Sequence, residues 1–192
     1  MDILKEKKTI RRQYLEARKA LPRETVDGLS KTICHNIRYH IPHDFQTILF
    51  YVPINNEVDV LPLAKELYVE KRNILFPRLI NDRIVPYIIN DLEFDFVMGA
   101  YNIPEPDTQP YDGKIDLILV PGVAFDCRGY RLGYGRGYFD QFLFGTEFTE
   151  AWGVAYNMQI APGVPHTEHD YILDSLITET GITLCQTGVE HE

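Results

Sequence analysis

Asp126-Cys127-Arg128-Gly129-Tyr130-Arg131-Leu132-Gly133-Tyr134-Gly135-Arg136-Gly137-Tyr138-Phe139-Asp140 is the stretch around which the chain is organised. Glycines at 133, 135 and 137 remove every second side chain, so the loop's N–H groups can approach a ligand closely and form a concave anion nest. Arg128, Arg131 and Arg136 add positive charge. Upstream, Ile115 to Val120, ended by Pro121-Gly122, reads as a buried strand. Downstream, Tyr138 to Phe144 can wind as a helix. Strand, glycine loop and helix start together describe a phosphate site. The competing reading is a surface hairpin whose glycines supply positive φ and whose tyrosines pack on a sheet. Three arginines within a chain of formal net charge -9 favour an anionic ligand instead. The glycine spacing lacks the extra residue of the dinucleotide fingerprint, and no Lys-Ser/Thr pair follows as in a Walker A loop.

The chain of 192 residues, 45% hydrophobic and 24% charged, is long enough for one globular domain, residues 1–192, with a real core, and too short for a second full domain. No apolar run approaches the ~18 residues of a membrane span, and the N-terminus lacks the pattern of a secretory signal. A cytoplasmic protein without a membrane partner is expected. The three cysteines, Cys34, Cys127 and Cys185, contain no C-x-x-C pair, so neither a disulfide framework nor a zinc knuckle is indicated. The acidic balance argues against a nucleic-acid partner.

Taken in order, Met1 to Leu21 reads as an amphipathic helix with Ile3, Ile10, Tyr14, Ala17 and Leu21 along one stripe. Lys7, Arg11 and Arg18 stack in a row beside it, which for an isolated helix would be a solvated basic face. A second helix carries Val26, Leu29, Ile33 and Ile37, with Pro42 beyond its end. Thr47 to Val52 is a β-branched and aromatic run closed by Pro53-Ile54-Asn55-Asn56-Glu57. That loop lies at the carboxyl end of a strand, where open α/β sheets bind ligands. Glu57 has two equal roles on this reading: a ligand contact, or a charge at the start of a helix from Asp59 to about Tyr68. Asn73 to Pro77 and Ile84 to Ile89 are further strands around the turn signal Asn81-Asp82. Alternation of strand and helix predicts an α/β fold with a mainly parallel sheet. Gly99 to Gly113 is a Pro-rich loop over the surface. Trp152 to Tyr156, Leu176 to Thr178 and Ile182 to Cys185 complete the strands, and Gln186 to Glu192 is a tail expected to fray. His166 and His169 beside Asp170 have the look of a transition-metal site, but Pro165 and the polar run mark a loop, and no third strong ligand is placed.

Val120-Pro121-Gly122-Val123-Ala124-Phe125-Asp126, followed by Gly129 and Arg131 through Asp140, resembles the signature of the 5-formyltetrahydrofolate cyclo-ligase family. The resemblance implies a three-layer α/β/α sandwich and a monomer acting on two small molecules, 5-formyltetrahydrofolate and ATP, with Mg²⁺. It implies ATP contacts from Lys7 and Arg11, with Lys8 and Arg12 as the alternative register, and from Arg131, Leu132, Gly133, Tyr134, Gly135, Arg136, Gly137, Tyr138 and Phe139. Folate contacts are implied for Val52, Glu57, Tyr101 and Tyr138, and Mg²⁺ ligation for Asp140 and Asp170, with Asp174 the nearest competitor. Two departures are visible: Phe139 stands where tyrosine is common, and Arg136 where glycine or lysine is common. Tyr101, ahead of Asn102-Ile103-Pro104, stands where tryptophan is frequent; a tyrosine stacks on a pterin with less area and a hydroxyl that needs a partner.

The implied reaction is ATP-dependent ring closure to 5,10-methenyltetrahydrofolate. An N-formyl carbonyl is an amide, too weak an electrophile to lose its oxygen as water, so phosphoryl transfer must first make that oxygen a leaving group. Such transfer needs alignment and charge neutralisation more than a covalent protein nucleophile.

Overall fold

The computed structural model describes residues 3–93 and 95–185. Helices α1 (Ile3–Lys19) and α2 (Arg23–His40) precede strand β1 (Thr47–Leu49) and helix α3 (Leu61–Val69). The strands β2 (Asn73–Ile80), β3 (Arg83–Ile88), β4 (Phe96–Met98), β5 (Pro104–Pro106), β6 (Gln109–Pro110) and β7 (Ile115–Val120) follow. A hairpin of β8 (Ala124–Phe125) and β9 (Arg131–Leu132) leads to α4 (Tyr138–Gly145), and β10 (Phe148–Val154), β11 (Ser175–Thr178) and β12 (Gly181–Leu184) close the chain.

Eight strands form the central sheet in the order β12-β11-β10-β7-β1-β2-β3-β6. The inner pairings β2/β1, β1/β7, β7/β10 and β10/β11 are parallel, and the three outer ones are antiparallel, so the sheet is mainly parallel. Alternation along the inner strands explains why both faces are covered. Ile48, Phe50, Ile74, Phe76, Leu117 and Leu119 point to one face, where Ile33 and Ile37 of α2 and Leu63, Ala64 and Leu67 of α3 pack. Leu49, Leu75, Ile118 and Val120 point to the other, against Phe142 and Leu143 of α4, Phe125 and Leu173. Each fully buried aliphatic or aromatic side chain of these strands contributes roughly 1.5–3 kcal/mol. This is the expected α/β/α layering, with one qualification. Helix α1 lies on the β8–β9 hairpin, its Ile10 and Tyr14 against Ala124, Leu132, Ala161 and Val164.

Several expected boundaries move for physical reasons. β2 and β3 are joined directly through Asn81 (φ 49) and Asp82 (φ 59), the left-handed pair that closes a two-residue hairpin, so no helix intervenes and this pairing is antiparallel. The Gly99–Gly113 segment is not all loop: β4 and β5 pair as a small ribbon, and β6 adds an edge to the sheet. Its prolines sit at a ribbon and a sheet edge, where a missing N–H is tolerated. β10 begins at Phe148, ahead of the expected Trp152, because β7 extends its pairing back to Ile115. On α1 the expected stripe is wrong at one point: Ala17 is exposed, and Arg18 is the buried residue. Met1 and the tail Gln186 to Glu192 lie outside the described residues.

The central stretch contains both of its competing readings in succession. Residues 124–132 form a hairpin, and the glycine loop 133–137 follows it and runs into α4. Asp126, 1% exposed, anchors the hairpin turn. Its carboxylate accepts the backbone N–H groups of Arg128 at 3.0 Å, Tyr130 at 3.3 Å and Val164 at 2.9 Å. It also pairs with the Arg128 guanidinium at 2.7 Å, so Arg128 serves the turn and stands apart from the phosphate cluster predicted for it. Asp126→Ala leaves those donors unpaired and should lower stability by about 3 kcal/mol or more, measured by urea denaturation. A loss under ~1 kcal/mol would show that the turn holds without it.

Candidate active site

The glycine loop is shaped by two left-handed residues, Gly135 (φ 101) and Gly137 (φ 70), the second being the N-cap of α4. No side chain caps that helix end, so its first N–H groups face the loop's concavity. Helix α1 lies beside the loop. The Arg11 Nε–H donates to the Gly133 carbonyl at 2.7 Å, and its guanidinium carbon lies 3.4 Å from where a Cβ on Gly135 would be. One turn earlier, the Lys7 ammonium donates to Asp170 Oδ2 at 2.6 Å. Lys8 and Arg12 point outward and are exposed, so α1 turns the Lys7/Arg11 register toward the loop.

Arg131 is 5% exposed at the end of the hairpin. One of its Nη groups donates to Asp140 Oδ1 at 3.0 Å, and its guanidinium lies 5.5 Å from the Phe139 ring centre. Its Nε is buried with no hydrogen-bond partner among the described residues. Burial lowers the guanidinium's proton affinity, while Asp140 and Asp170 oppose that change. Leu132 is buried in the hairpin core, Tyr134 is 40% exposed, and Arg136 is exposed at the loop tip.

Asp140 and Asp170 approach the same place from distant segments: Asp140 Oδ1 also accepts the N–H of Tyr171, next to Asp170, at 3.3 Å. Asp170 Oδ2 takes Lys7 and both the N–H and hydroxyl of Thr167. Burial raises the Asp170 carboxyl, but the Lys7 and Thr167 donors outweigh it and hold it below its ordinary value. Among the described residues, Asp140 Oδ2 and Asp170 Oδ1 accept no hydrogen bond. Each carboxylate thus keeps one oxygen for another partner, which fits an ion that takes one or two carboxylates and shares the rest of its shell with phosphate and water. Asp174 is committed elsewhere, accepting the Ala151 N–H at 2.7 Å. His166 stacks on Tyr130 at 3.6 Å between ring centres, and His169 is exposed.

Of the predicted folate residues, Tyr101 and Tyr138 touch each other, while Glu57 bonds to Tyr134 of the glycine loop. Glu57 lies before α3, not in its first turn, and is 5% exposed. Its Oε2 accepts the Ile54 N–H at 2.9 Å, and its Oε1 accepts the Tyr134 hydroxyl at 3.2 Å. Burial pushes its carboxyl up to about 7, against the pull of Arg18, the Ile54 N–H and the Tyr134 hydroxyl. Val52 is partly buried against the core just past β1. Tyr101 is 60% exposed in a left-handed turn (φ 59), its hydroxyl 3.0 Å from that of Tyr138. Tyr138 in turn donates to Asp82 Oδ1 at 3.1 Å, and its hydroxyl is raised to about 12, first by the Tyr101 hydrogen bond and then by desolvation and Asp82.

Two members of this constellation escape sequence reasoning. Asp82 signals only a turn, and its place beside Tyr138 is set by pairing of β2 with β3. Arg18 belongs to the basic row of α1 but is 1% exposed, its guanidinium enclosed by the 53–57 loop, Gly122 and Tyr134. Two clefts of about 230 and 260 Å³, one below Pro86 and Thr146 and the other beside Tyr68 and Ile89, are lined by none of the predicted site residues.

The 5-formyltetrahydrofolate cyclo-ligase family model matches residues 3–179. The chain belongs to this family. The 5-formyltetrahydrofolate cyclo-ligase of Mycoplasma pneumoniae is 30% identical over 158 residues, covering 80% of this chain and 87% of that protein. That of Saccharomyces cerevisiae is 26% identical, covering 91% and 96%. Among solved structures, the 5,10-methenyltetrahydrofolate synthetase of Aquifex aeolicus superposes with a TM-score of 0.84 at 31% identity, over 97% of this chain and 96% of that one. That of Mycoplasma pneumoniae gives 0.72 at 27% identity, over 93% and 99%. The chain is therefore an enzyme of the cyclo-ligase family, and the fold just described is that of its solved relatives.

The raised Glu57 carboxyl makes stability depend on pH. Its folded value, about 7, exceeds the ordinary 4.5, so between these values the folded protein holds a proton that the unfolded chain releases. The stabilisation is complete below pH 4.5 and is lost as pH rises through 7, a change of about 3 kcal/mol. Denaturation of wild type and Glu57→Gln between pH 4.5 and 8 should show the wild type losing stability relative to the variant by that amount. A constant difference across the range would mean that Glu57 titrates normally.

Proposed function

We propose that this chain closes 5-formyltetrahydrofolate to 5,10-methenyltetrahydrofolate, using ATP as co-substrate with Mg²⁺ and releasing ADP and phosphate. The observation that carries this reading is the convergence, in a chain of this family, of Lys7, Arg11 and Arg131 with Asp140 and Asp170 around one glycine loop. Cations, loop N–H groups and a helix N-terminus suit a triphosphate, and the two carboxylates suit its metal.

On this reading the nucleotide lies along residues 131–139, with Leu132 and Phe139 as apolar support and Arg136 reaching phosphate oxygens from the loop tip. Asp140 and Asp170 would hold Mg²⁺, which supplies charge neutralisation at the phosphates. Folate lies beyond the carboxyl end of β1, beside Val52 and Glu57, with its pterin against Tyr101 and Tyr138. Lys7, Arg11 and Arg131 hold the γ-phosphoryl group in line with the formyl oxygen. That oxygen attacks phosphorus, the bond to the bridging oxygen breaks, and ADP leaves. N10 then adds to the activated carbon and loses its proton. The carbon–oxygen bond breaks with departure of phosphate, leaving the N5–CH–N10 cation. Glu57 accepts pterin N–H donors through lone pairs that Ile54 and Tyr134 do not use. The reaction needs one domain, 1–192, and no partner subunit; its unpaired cysteines suit the cytoplasm.

Purified protein with 5-formyltetrahydrofolate and Mg-ATP should produce methenyltetrahydrofolate absorbance, with one ADP and one phosphate per product. Equal ATP hydrolysis without folate would sink this proposal. Arg131→Ala should lower kcat/KM for ATP by roughly ten- to over a hundredfold, as loss of a charge-assisted contact of ~1.5–3 kcal/mol.

Asp140→Asn and Asp170→Asn should each raise the Mg²⁺ needed for half-maximal rate at saturating ATP. Wild-type metal dependence in both variants would remove the pair from the metal site.

A further inference from the structure

We propose that Arg18 is a positioning residue of the cyclisation, holding the glycine loop that takes the nucleotide in register with the 53–57 loop that takes the folate. The inference rests on the assignment of those two loops under Proposed function.

The guanidinium of Arg18 has nowhere to meet water. Its Nε–H donates to the Asn55 carbonyl at 3.0 Å, one Nη to the Gly122 carbonyl at 2.7 Å, and the other to the Tyr134 hydroxyl at 2.6 Å. The second Nη also lies 3.6 Å from Glu57 Oε1, the countercharge of this buried group. Tyr134 completes the junction by donating its own proton to Glu57 and accepting a 3.3 Å contact from the Asn55 amide. One planar group thus touches the helix that supplies Lys7 and Arg11, the loop after β1, the turn after β7 and the glycine loop. Asn56 reinforces the arrangement, its amide donating to the carbonyls of Arg18, Lys19 and Leu21 at the end of α1. Asn55 (φ 49) and Asn56 (φ 57) are both left-handed, a conformation that the surrounding bonds must maintain.

The consequence is geometric. The formyl oxygen and the γ-phosphorus are delivered by different loops, and displacement of either by about an ångström costs on the order of a hundredfold in rate. Arg18 and Tyr134 are the side chains that bridge those loops. Lysine in place of Arg18 keeps a charge near Glu57, but its three donors sit on one nitrogen and cannot span the separate positions that the planar guanidinium reaches.

The junction also sets the ionisation of Glu57. The titratable groups around that carboxylate are Arg18 from α1, Tyr134 from the glycine loop, Tyr51 beyond β1 and Tyr156 beyond β10. Of these, Arg18 and the Tyr134 hydroxyl favour the carboxylate, and removal of the hydroxyl moves its titration to higher pH.

The test is steady-state kinetics of Arg18→Lys, Tyr134→Phe and the double variant between pH 5.5 and 9, with Kd for 5-formyltetrahydrofolate measured separately for Glu57→Gln. Each single variant should lose on the order of 10- to 100-fold in kcat, with KM for ATP changed less than threefold. The double variant should be no slower than the worse single one, because the two side chains act as a unit. In Tyr134→Phe the acid limb of kcat/KM for folate should move to higher pH, which a loss of folded protein would not produce. Wild-type kcat and an unmoved acid limb in Tyr134→Phe, or losses that multiply in the double variant, would overturn the proposal. If Arg18→Lys fails to fold, Tyr134→Phe decides by the same two readouts. Unaltered folate affinity in Glu57→Gln would instead refute the folate assignment, while the kinetics of the other variants still judge the bridge.

Discussion

A guanidinium removed from water must find all its partners within the protein, and Arg18 finds them on three separate segments. An unpaired buried charge costs several kcal/mol, so these segments cannot drift apart without a penalty larger than most single contacts supply. This constraint organises the end of the molecule that carries the glycine loop. The sheet brings the carboxyl ends of β1, β7 and β10 together, but it does not by itself hold α1 or the glycine loop, which lie outside the two helix-covered faces. Their placement depends on Arg18, on the Arg11 bond to Gly133 and on the small apolar contact between α1 and the β8–β9 hairpin.

Four of the charges near the glycine loop are arranged in pairs. Lys7 pairs with Asp170, and Arg131 with Asp140. On the proposed reading, a metal–triphosphate complex would offer each cation a phosphate oxygen and each carboxylate a metal ion, so both sets would gain new partners without leaving a charge bare. The Phe139 ring, standing where a phenol is common, lies beside the Arg131 guanidinium and adds apolar contact in place of a hydrogen bond.

Much of this was legible before the fold was seen. The glycine loop, the preceding strand Ile115–Val120 and the helix from Tyr138 are readable because each is a local pattern: alternate glycines, a short run apolar at every position but Asp116, and an aromatic-rich run opened by a glycine. The motif resemblance also pointed to Lys7 and Arg11. What it left open was their register against Lys8 and Arg12, since adjacent residues on a helix differ by only a rotation of the axis. The direction of that rotation comes from Ile10 and Tyr14 packing on the hairpin. The Gly99–Gly113 segment was misread as loop for a related reason: its strands are two or three residues long and contain proline, and they exist only because a partner strand is supplied from elsewhere.

By itself, then, the sequence determined an α/β protein with a glycine-rich loop of a recognisable family, because periodicity, glycine spacing and local charge act over a few neighbouring residues. Only the tertiary structure decided that Arg18 is buried and Ala17 exposed, that Glu57 closes a loop instead of starting a helix, and that Asp140 meets Asp170 while Asp174 joins the sheet. Each of those outcomes depends on which distant segment supplies the hydrogen-bond partner. A side chain's burial and charge state follow from that partner, and one-dimensional spacing carries no information about it.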